Sequence, residues 1–504
     1  MGDRMRGLAL LLLFALAGCE RGDAQAAPPP AALAPKLSAE LAIASYWGSG
    51  EATVRTATFD GAGNLYLSAG TQNPAGFPQT APSRGRLGFW DLGIAKFDAT
   101  GKNLWSIVIG GPGEDYPYVS ALDREGNLIV GGRGGPDFPM TAGAFDKSFN
   151  GGFPVGPHGP TDGFLLSISP AGALRWATYI GGKGDDIIRA IQTLPDGRIA
   201  IAGGMAEADD LPVTPGVVKP KLGGAKDAWV AAVRPDGAAL DFLTYFGPSD
   251  DRDRKADETL RAIGLDAAGE LWLAGTTQGS DLTPTPDAFQ KARGGGGSAF
   301  VAKLSLDGRR IPYFSWLGGN EGDDVETEGL SDARGAFYIA GGTSSVDFPA
   351  TSGAVSRGGG DDGWIARIEP SGALGMALRF GGSGDDHFFG PALDAAGFVY
   401  ASGTVHSTDL PVTAGALQPR FGGGPSDSML AAFDPSGALA FSTYFGGSGS
   451  DTGRFVAADP SRRRVVLIGD TQSPDLPMRN AAQTKPGGVY FAIFEVTPIG
   501  SVRD

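Results

Sequence analysis

The sequence predicts an all-β protein: a seven-bladed β-propeller with four-stranded blades, closed by its own N-terminal strand. Three observations lead to this class. Glycine supplies 82 of 504 residues, well above the usual share of about 7%. Glycine inside a helix costs about 1 kcal/mol against alanine, so long helices are excluded and short strands with tight turns are favoured. The 41% hydrophobic content excludes a disordered chain. A segment of the type Asp-Leu/Phe-Pro-x-Thr recurs at Gly76, Asp137, Asp210, Asp281, Asp347, Asp409 and Asp475, with a mean spacing of 66.5 residues. Finally, each copy is accompanied by four strand-like runs, in one unit Thr259–Leu265, Glu270–Gly275, Ser298–Leu304 and Ile311–Leu317. Alternating apolar residues and aromatic enrichment mark these runs as strands, and Asp/Gly pairs between them mark short turns.

The elements follow in chain order. Arg4 and Arg6 precede an apolar run, Leu8–Leu16, that is too short for a permanent membrane span. Leu16-Ala17-Gly18-Cys19 then resembles the bacterial lipobox, in which cleavage before the cysteine leaves it lipidated. Cys19 is the only cysteine of the chain. Residues 1–18 therefore read as a lipoprotein signal peptide and residues 19–39, rich in alanine and proline, as an extended tether. Residues 40–504 form the propeller. Several acyl chains hold a protein stably at a membrane, so the expected location is lipid-anchored in the bacterial cell envelope, at the outer membrane.

The two ends of the repeat region complement each other. Leu41–Trp47 resembles the fourth strand of a unit (compare Leu174–Ile180 and Leu439–Phe445), whereas the C-terminus stops at a third strand, Gly488–Glu495. The N-terminal strand is expected to complete the last blade and cover its edge. The segments ALDFLTYFGP, GGSGDD, DAAGELWLAGTT, DLPVT and DAWVAAVRPDG resemble the bacterial SBBP family of β-propeller repeats over roughly residues 40–495. That resemblance implies the fold and supplies no catalytic residues. The chain departs from the pattern in a charged insertion, Asp250–Glu258, and in an enlarged loop, Arg133–Thr161.

Function is less legible. With three histidines and one cysteine, a disulfide framework is excluded and histidine-based chemistry is disfavoured. The net charge of −15 argues against a nucleic-acid partner. Loops between second and third strands are the long ones, and binding residues concentrate on such loops. The ligand-face candidates are Phe138, Phe145, Phe149, Phe153 and His158 on the enlarged loop, with His387 and His406 from one later unit. The GGxGxD-type turns ending at Asp115, Asp186, Asp324, Asp386 and Asp451 resemble calcium-binding repeats in their oxygen ligands, although glycine and aspartate at a turn also have purely conformational uses. No other cofactor and no catalytic residue is expected. The leading expectation is a monomeric, membrane-tethered, non-enzymatic propeller that binds a protein or a cell-envelope polymer. A propeller hydrolase or lyase acting on polysaccharide or peptide, and an outer-membrane assembly scaffold, are the alternatives.

Overall fold

Within a repeat, successive strands pair antiparallel in sequence order, and the last repeat takes its outer strand from the N-terminus. In a computed structural model, the second repeat pairs Tyr116–Leu122, Leu128–Gly134, Asp162–Ile168 and Leu174–Ile180 in this way. The model describes residues 36–499, apart from Ser49, 152–158, Ala225, 248–258, Ser280, Thr327, 352–354, Pro460 and the side chain of Met205. Cys19, most of the tether, Phe153 and His158 lie outside the described residues.

The Asp/Gly signals do what their chemistry predicts. Asp123 Oδ1 accepts the amides of Glu125 and Asn127 while Gly126 takes φ of 78°, which closes the turn between first and second strands. Asp60, Asp266, Asp332 and Asp394 repeat the arrangement. The Asp-Leu-Pro-x-Thr segment laces the long loop onto the outer strand. Thr214 donates its amide to Leu243 and accepts the Leu243 amide on Oγ1, and Thr141 and Thr413 do the same at Ala177 and Ser442. The apolar residue of the segment is buried as Phe77, Phe138, Leu211, Phe348, Leu410 and Leu476, and half-buried as Leu282. Its amide bonds a fourth-strand tyrosine hydroxyl: Tyr179 for Phe138, Tyr245 for Leu211 and Tyr444 for Leu410.

Two regions depart from a plain four-stranded unit. A single residue pair, Gly204 with Thr259, joins the sheets that begin at Ile187 and Thr259 into one. In the fifth repeat the first strand is only Leu330–Ser331, and Val355–Ser356 adds a short parallel pairing against Phe380 and Gly381. Among the described residues the sole helical element is the 3-10 turn Pro74–Gly76. No helix among them is long and apolar enough to cross a membrane.

The N-terminal strand runs Leu37–Trp47 and pairs antiparallel with Val489–Pro498, from Leu37 opposite Pro498 to Trp47 opposite Val489. It starts three residues before the expected boundary at residue 40. Tyr46 copies the fourth-strand tyrosines of other repeats: its hydroxyl donates to Ser473 and accepts from Leu476. Buried Tyr46 and Trp47 join the cores on either side of this last sheet.

The sheets form a β-propeller. Apolar clusters fill the spaces between successive sheets. Neighbouring repeats meet along their first strands, and the contacts run round in a cycle: Ala52–Phe59 touches Tyr116–Leu122, then Ile187–Thr193, Thr259–Leu265, the fifth repeat, Asp386–Leu393, Asp451–Asp459 and Ala52–Phe59 again. The first strands therefore line a central channel. Thr56 bonds Ser120 at 3.0 Å and Glu328 at 3.4 Å across it, which places a polar floor beneath the channel mouth.

Candidate functional site

The turn entering each first strand ends in a buried aspartate that ties the strand start to the turn. Asp186 Oδ2 accepts the Gly182 amide at 2.7 Å, Asp386 the Gly382 amide at 2.6 Å and Asp451 the Gly447 amide at 2.8 Å. Asp115 does the same for Gly111 and also accepts Gly135 at 2.9 Å. Thr471 and Ser473 donate to Asp451, and Ser407 donates to Asp386. Burial pushes Asp115 up to about 7 and Asp186 up to about 8, against the bonds from Gly111 and Gly182. These four carboxylates belong to separate repeats, and each is engaged by its own turn.

Asp324 departs from its expected position. The fifth repeat reads GGNEGDD, one residue longer than GGKGDD, and the turn role falls to Asp323, which accepts Gly319 at 2.7 Å and the hydroxyls of Thr343 and Ser345. Four residues separate glycine and aspartate in every case, so the register is set from the glycine. Asp324 is released into the channel mouth, where only the Gly342 amide bonds it at 2.8 Å.

The third residue beyond the turn aspartate forms the rest of the mouth: Tyr118, Arg189, Glu326, Phe389 and Arg454, with Arg55 and Arg261 at the matching place in the remaining repeats. Strand register slips at Arg55, Tyr118, Arg189, Arg261 and Arg454. A bulge re-aims the extra side chain, and here it turns guanidinium groups toward the channel.

Charge in the mouth is mostly compensated. Arg261 pairs with Glu326 at 2.8 Å, Arg454 with Asp470 at 2.8 Å, and Arg133 with Glu114. His387 Nε2 lies 3.2 Å from Glu326 and 3.9 Å from Asp324. Burial opposes a charge on His387, but the Glu326 hydrogen bond and the Asp324 charge outweigh it and raise its pKa. Burial also opposes a charge on Glu326, yet His387 and Arg261 hold it below the usual carboxylate range. Asp324, Glu326 and His387 are the one group of three among the described residues close enough to share a metal ion. A cavity of about 190 Å³ opens beside them, lined by Thr276, Asp323, Asp324, Thr343, Ser344 and His387.

Aromatic rings run from the rim inward. Phe89, 53% exposed, meets Trp90 at 6.5 Å, Trp90 meets Tyr116 at 5.4 Å, and Tyr116 meets Tyr118 at 5.2 Å. Arg55 donates to the Tyr116 hydroxyl at 2.8 Å, and Arg189 lies over the Tyr118 ring at 4.0 Å.

Of the loop aromatics expected at a ligand face, Phe138 is 3% exposed and stacks on Phe164 at 4.8 Å. It is the apolar residue of the Asp-Phe-Pro-x-Thr segment, so its repeat position dictates a core role. Phe149 packs on Tyr179 at 5.9 Å, and Phe145 is half-buried with its amide bonded to Gly237. His406 is exposed and bonds the Asp385 carbonyl through Nδ1, away from the partners of His387. The mouth arginines and tyrosines were missed because they are single residues per repeat, arginine in four repeats and tyrosine, glutamate or phenylalanine in the others. Counting three residues on from each turn aspartate finds most of them.

No family model matches the chain. It is 24% identical over 307 residues to a protein named Regulatory protein FlaEY from Caulobacter vibrioides, covering 58% of this chain and 29% of that protein. An uncharacterised WD repeat-containing protein of Acanthamoeba polyphaga mimivirus is 27% identical over 119 residues, covering 23% of this chain and 9% of that protein. The chain thus spans less than a third of the length of these curated relatives. Among solved structures, the Neurospora crassa Pan2 WD40 domain aligns with a TM-score of 0.46 at 8% identity, covering 92% of this chain and 98% of that one. The quinohemoprotein alcohol dehydrogenase of Comamonas testosteroni aligns with a TM-score of 0.42 at 11% identity, covering 91% of this chain and 76% of that one.

Proposed function

We propose that the chain is a seven-bladed propeller of the SBBP type, lipid-anchored through Cys19 in a bacterial envelope, that binds an envelope polymer at its channel mouth without transforming it. The cycle of first-strand contacts and the N-terminal strand paired to the last sheet support the blade count. The observation that carries the binding reading is the convergence of Arg55, Arg189, Arg261 and Arg454 with Tyr116, Tyr118 and Phe389 in a chain of net charge −15. A polymer fits better than a protein partner, because Phe138 and Phe149, the residues a protein would grip, are packed against the sheet. The test is retention of solubilised envelope polymer on the immobilised protein, compared with an Arg55→Ala/Arg189→Ala double variant. Equal retention by both would end the channel reading. Anchoring is tested separately: Cys19→Ala should leave the membrane fraction or keep an uncleaved signal.

A second reading, a hydrolase or lyase, draws on one observation. His387 held by Glu326 beside Asp324 has the form of an acid–base pair oriented by a carboxylate. Shortening of the bound polymer that stops in His387→Ala would favour it over simple binding.

A further inference from the structure

Resting on that channel-mouth reading, we propose that the ligand is an anionic saccharide chain, with one acidic group seated on Arg189 and Arg55 and its sugar rings lying along Trp90 and Phe89. Three arginines of the mouth have a carboxylate within ion-pair distance: Glu326 for Arg261, Asp470 for Arg454 and Glu114 for Arg133. Among the described residues no carboxylate lies within ion-pair distance of Arg189, which sits over the Tyr118 ring at 4.0 Å; Glu326 acts on it only through its charge and is already held by Arg261 and His387. Arg55 donates to the neutral hydroxyl of Tyr116 and shares the charge of Asp470 with Arg454. Arg189 and Arg55 thus draw on carboxylates that Arg261 and Arg454 already engage, so guanidinium groups crowd at one place in a chain of net charge −15. Burial, together with the charges of Arg261, Arg55 and Arg133, pulls Arg189 down to about 10, so the guanidinium is held against repulsion that a bound anion would relieve. A guanidinium fork matches carboxylate, sulfate and phosphate oxygens with paired hydrogen bonds.

The saccharide part follows from the rings. Phe89 and Trp90 sit on the path from the rim, with Phe89 mostly exposed and Trp90 half-buried, and their planes stand at 87° so that each offers a separate face. An aromatic face accepts the C–H face of a sugar ring and leaves the peripheral hydroxyls free to hydrogen-bond. Across the mouth, the cavity by Asp324, Ser344 and Thr276 offers polar groups for those hydroxyls. An acidic peptide would use the same arginines and ignore the aromatic run. A uronate and a sulfated sugar share the required chemistry.

The experiment is calorimetric titration of the full mature chain at low salt with four probes: a uronate oligosaccharide, its methyl ester, a sulfated oligosaccharide, and polyglutamate, with inorganic sulfate as the control ion. The expected result is one site per chain, at least tenfold tighter for a charged oligosaccharide than for the methyl ester. The stronger of the uronate and sulfated arms identifies the acidic group. Arg189→Ala should weaken binding at least tenfold with an unchanged or raised melting temperature, and Arg189→Lys should recover part of it. Trp90→Ala should weaken the oligosaccharide and leave inorganic sulfate unaffected. Binding of the methyl ester as tight as the uronate overturns the anion assignment while leaving the channel reading standing. Tighter binding of polyglutamate, or inorganic sulfate matching the oligosaccharides, overturns the saccharide assignment. Absence of binding by every charged oligosaccharide at millimolar concentration overturns the inference outright, whereas polymer retention in the double-variant comparison would still decide the wider reading.

Discussion

The turns Gly181–Asp186 and Gly318–Asp324 have the same job and differ by one residue. In the first, Gly182 donates to Asp186, and the preceding Asp185 accepts the Thr161 hydroxyl. In the second, Gly319 donates to Asp323. The residue after it is a second aspartate, which stands in the channel mouth 3.9 Å from His387. A propeller repeat thus has a carboxylate that holds the strand start in place, followed by a position open to variation. Structural and functional acids sit side by side in the chain and are told apart by register, not by spelling. A glycine also has a fixed task here: a Cβ on Gly181 would lie about 3 Å from both Asp162 and Asp186.

The largest expected effect removes a turn's support from outside. The last turn, Gly446–Asp451, leans on Ser473, whose hydroxyl donates to Asp451 and whose carbonyl accepts Tyr46. Deleting residues 36–47 strips this away together with the whole outer strand. Its ladder bonds contribute roughly 1 kcal/mol each, and burial of Ile43, Tyr46 and Trp47 about 1.5–3 kcal/mol each. That total rivals the roughly 5–15 kcal/mol stability of a domain. The truncated protein should lose its cooperative melt; a wild-type melt would show that the ring closes without the N-terminal strand.

Next in size is the direct comparison of the two acids. Asp323→Ala and Asp451→Ala each leave a buried turn amide and two hydroxyls without their acceptor, at a cost of about 1–3 kcal/mol or more. Asp324→Ala loses one bond to Gly342 and the 3.9 Å charge contact with His387 in a partly exposed place, and should cost about 1 kcal/mol or less. Chemical denaturation of the three variants gives the ordering. An Asp324 variant as unstable as the other two would merge the roles that the structure separates.

Much of this was legible from the sequence. The strand Ser298–Leu304 follows from alternation, Leu174–Ile180 from the aromatic enrichment of fourth strands, and the pairing of Leu41–Trp47 from counting the strands of each unit. The site was harder to read for physical reasons. A long loop suggested an exposed surface, but Phe138 belongs to a repeat segment that must bury an apolar residue. The mouth arginines lie at strand bulges, where the two-residue period of a strand breaks and alternation no longer predicts direction. Asp324 was misread because motif spelling counts forward to the last acid, whereas the hydrogen bond counts four residues from the glycine.

The turn acids also set a pH dependence. Asp186, 1% exposed, is pushed by burial up to about 8, so the folded state holds a proton that the unfolded chain releases near pH 4. Between about pH 4 and 8 the folded state binds more protons, and stability falls as pH rises. Asp115, Asp162 and Asp427, each raised by burial to about 7, act in the same direction. Asp186→Asn should flatten the slope by about one to three kcal/mol across this window, as read from melts at pH 5 and pH 8. An unchanged slope would mean that Asp186 ionises normally. Calcium addresses the same groups. Since turn amides and hydroxyls already engage these carboxylates, a chelator should leave the melting temperature unchanged, and a drop would assign the turns to an ion.

The smallest effect lies on the functional side of the comparison and concerns His387 alone. Its Nε2 is 3.2 Å from Glu326 and 3.9 Å from Asp324, and its pKa is raised despite burial. A raised folded pKa means the pairing stabilises the fold fully below about pH 6.5 and loses that contribution as pH rises through the folded value. Glu326 keeps Arg261 as a partner at any pH, so Glu326→Gln should cost more at pH 6 than at pH 8, but should cost something at both. Asp324→Asn removes only the more distant charge and should lower the His387 pKa less than Glu326→Gln does. With three histidines in the chain, imidazole resonances can be assigned by single substitutions of His158 and His406. A His387 that titrates at or below 6.5 in the wild type, and ignores both substitutions, would show that Asp324 was released from the turn without joining a charge-coupled site.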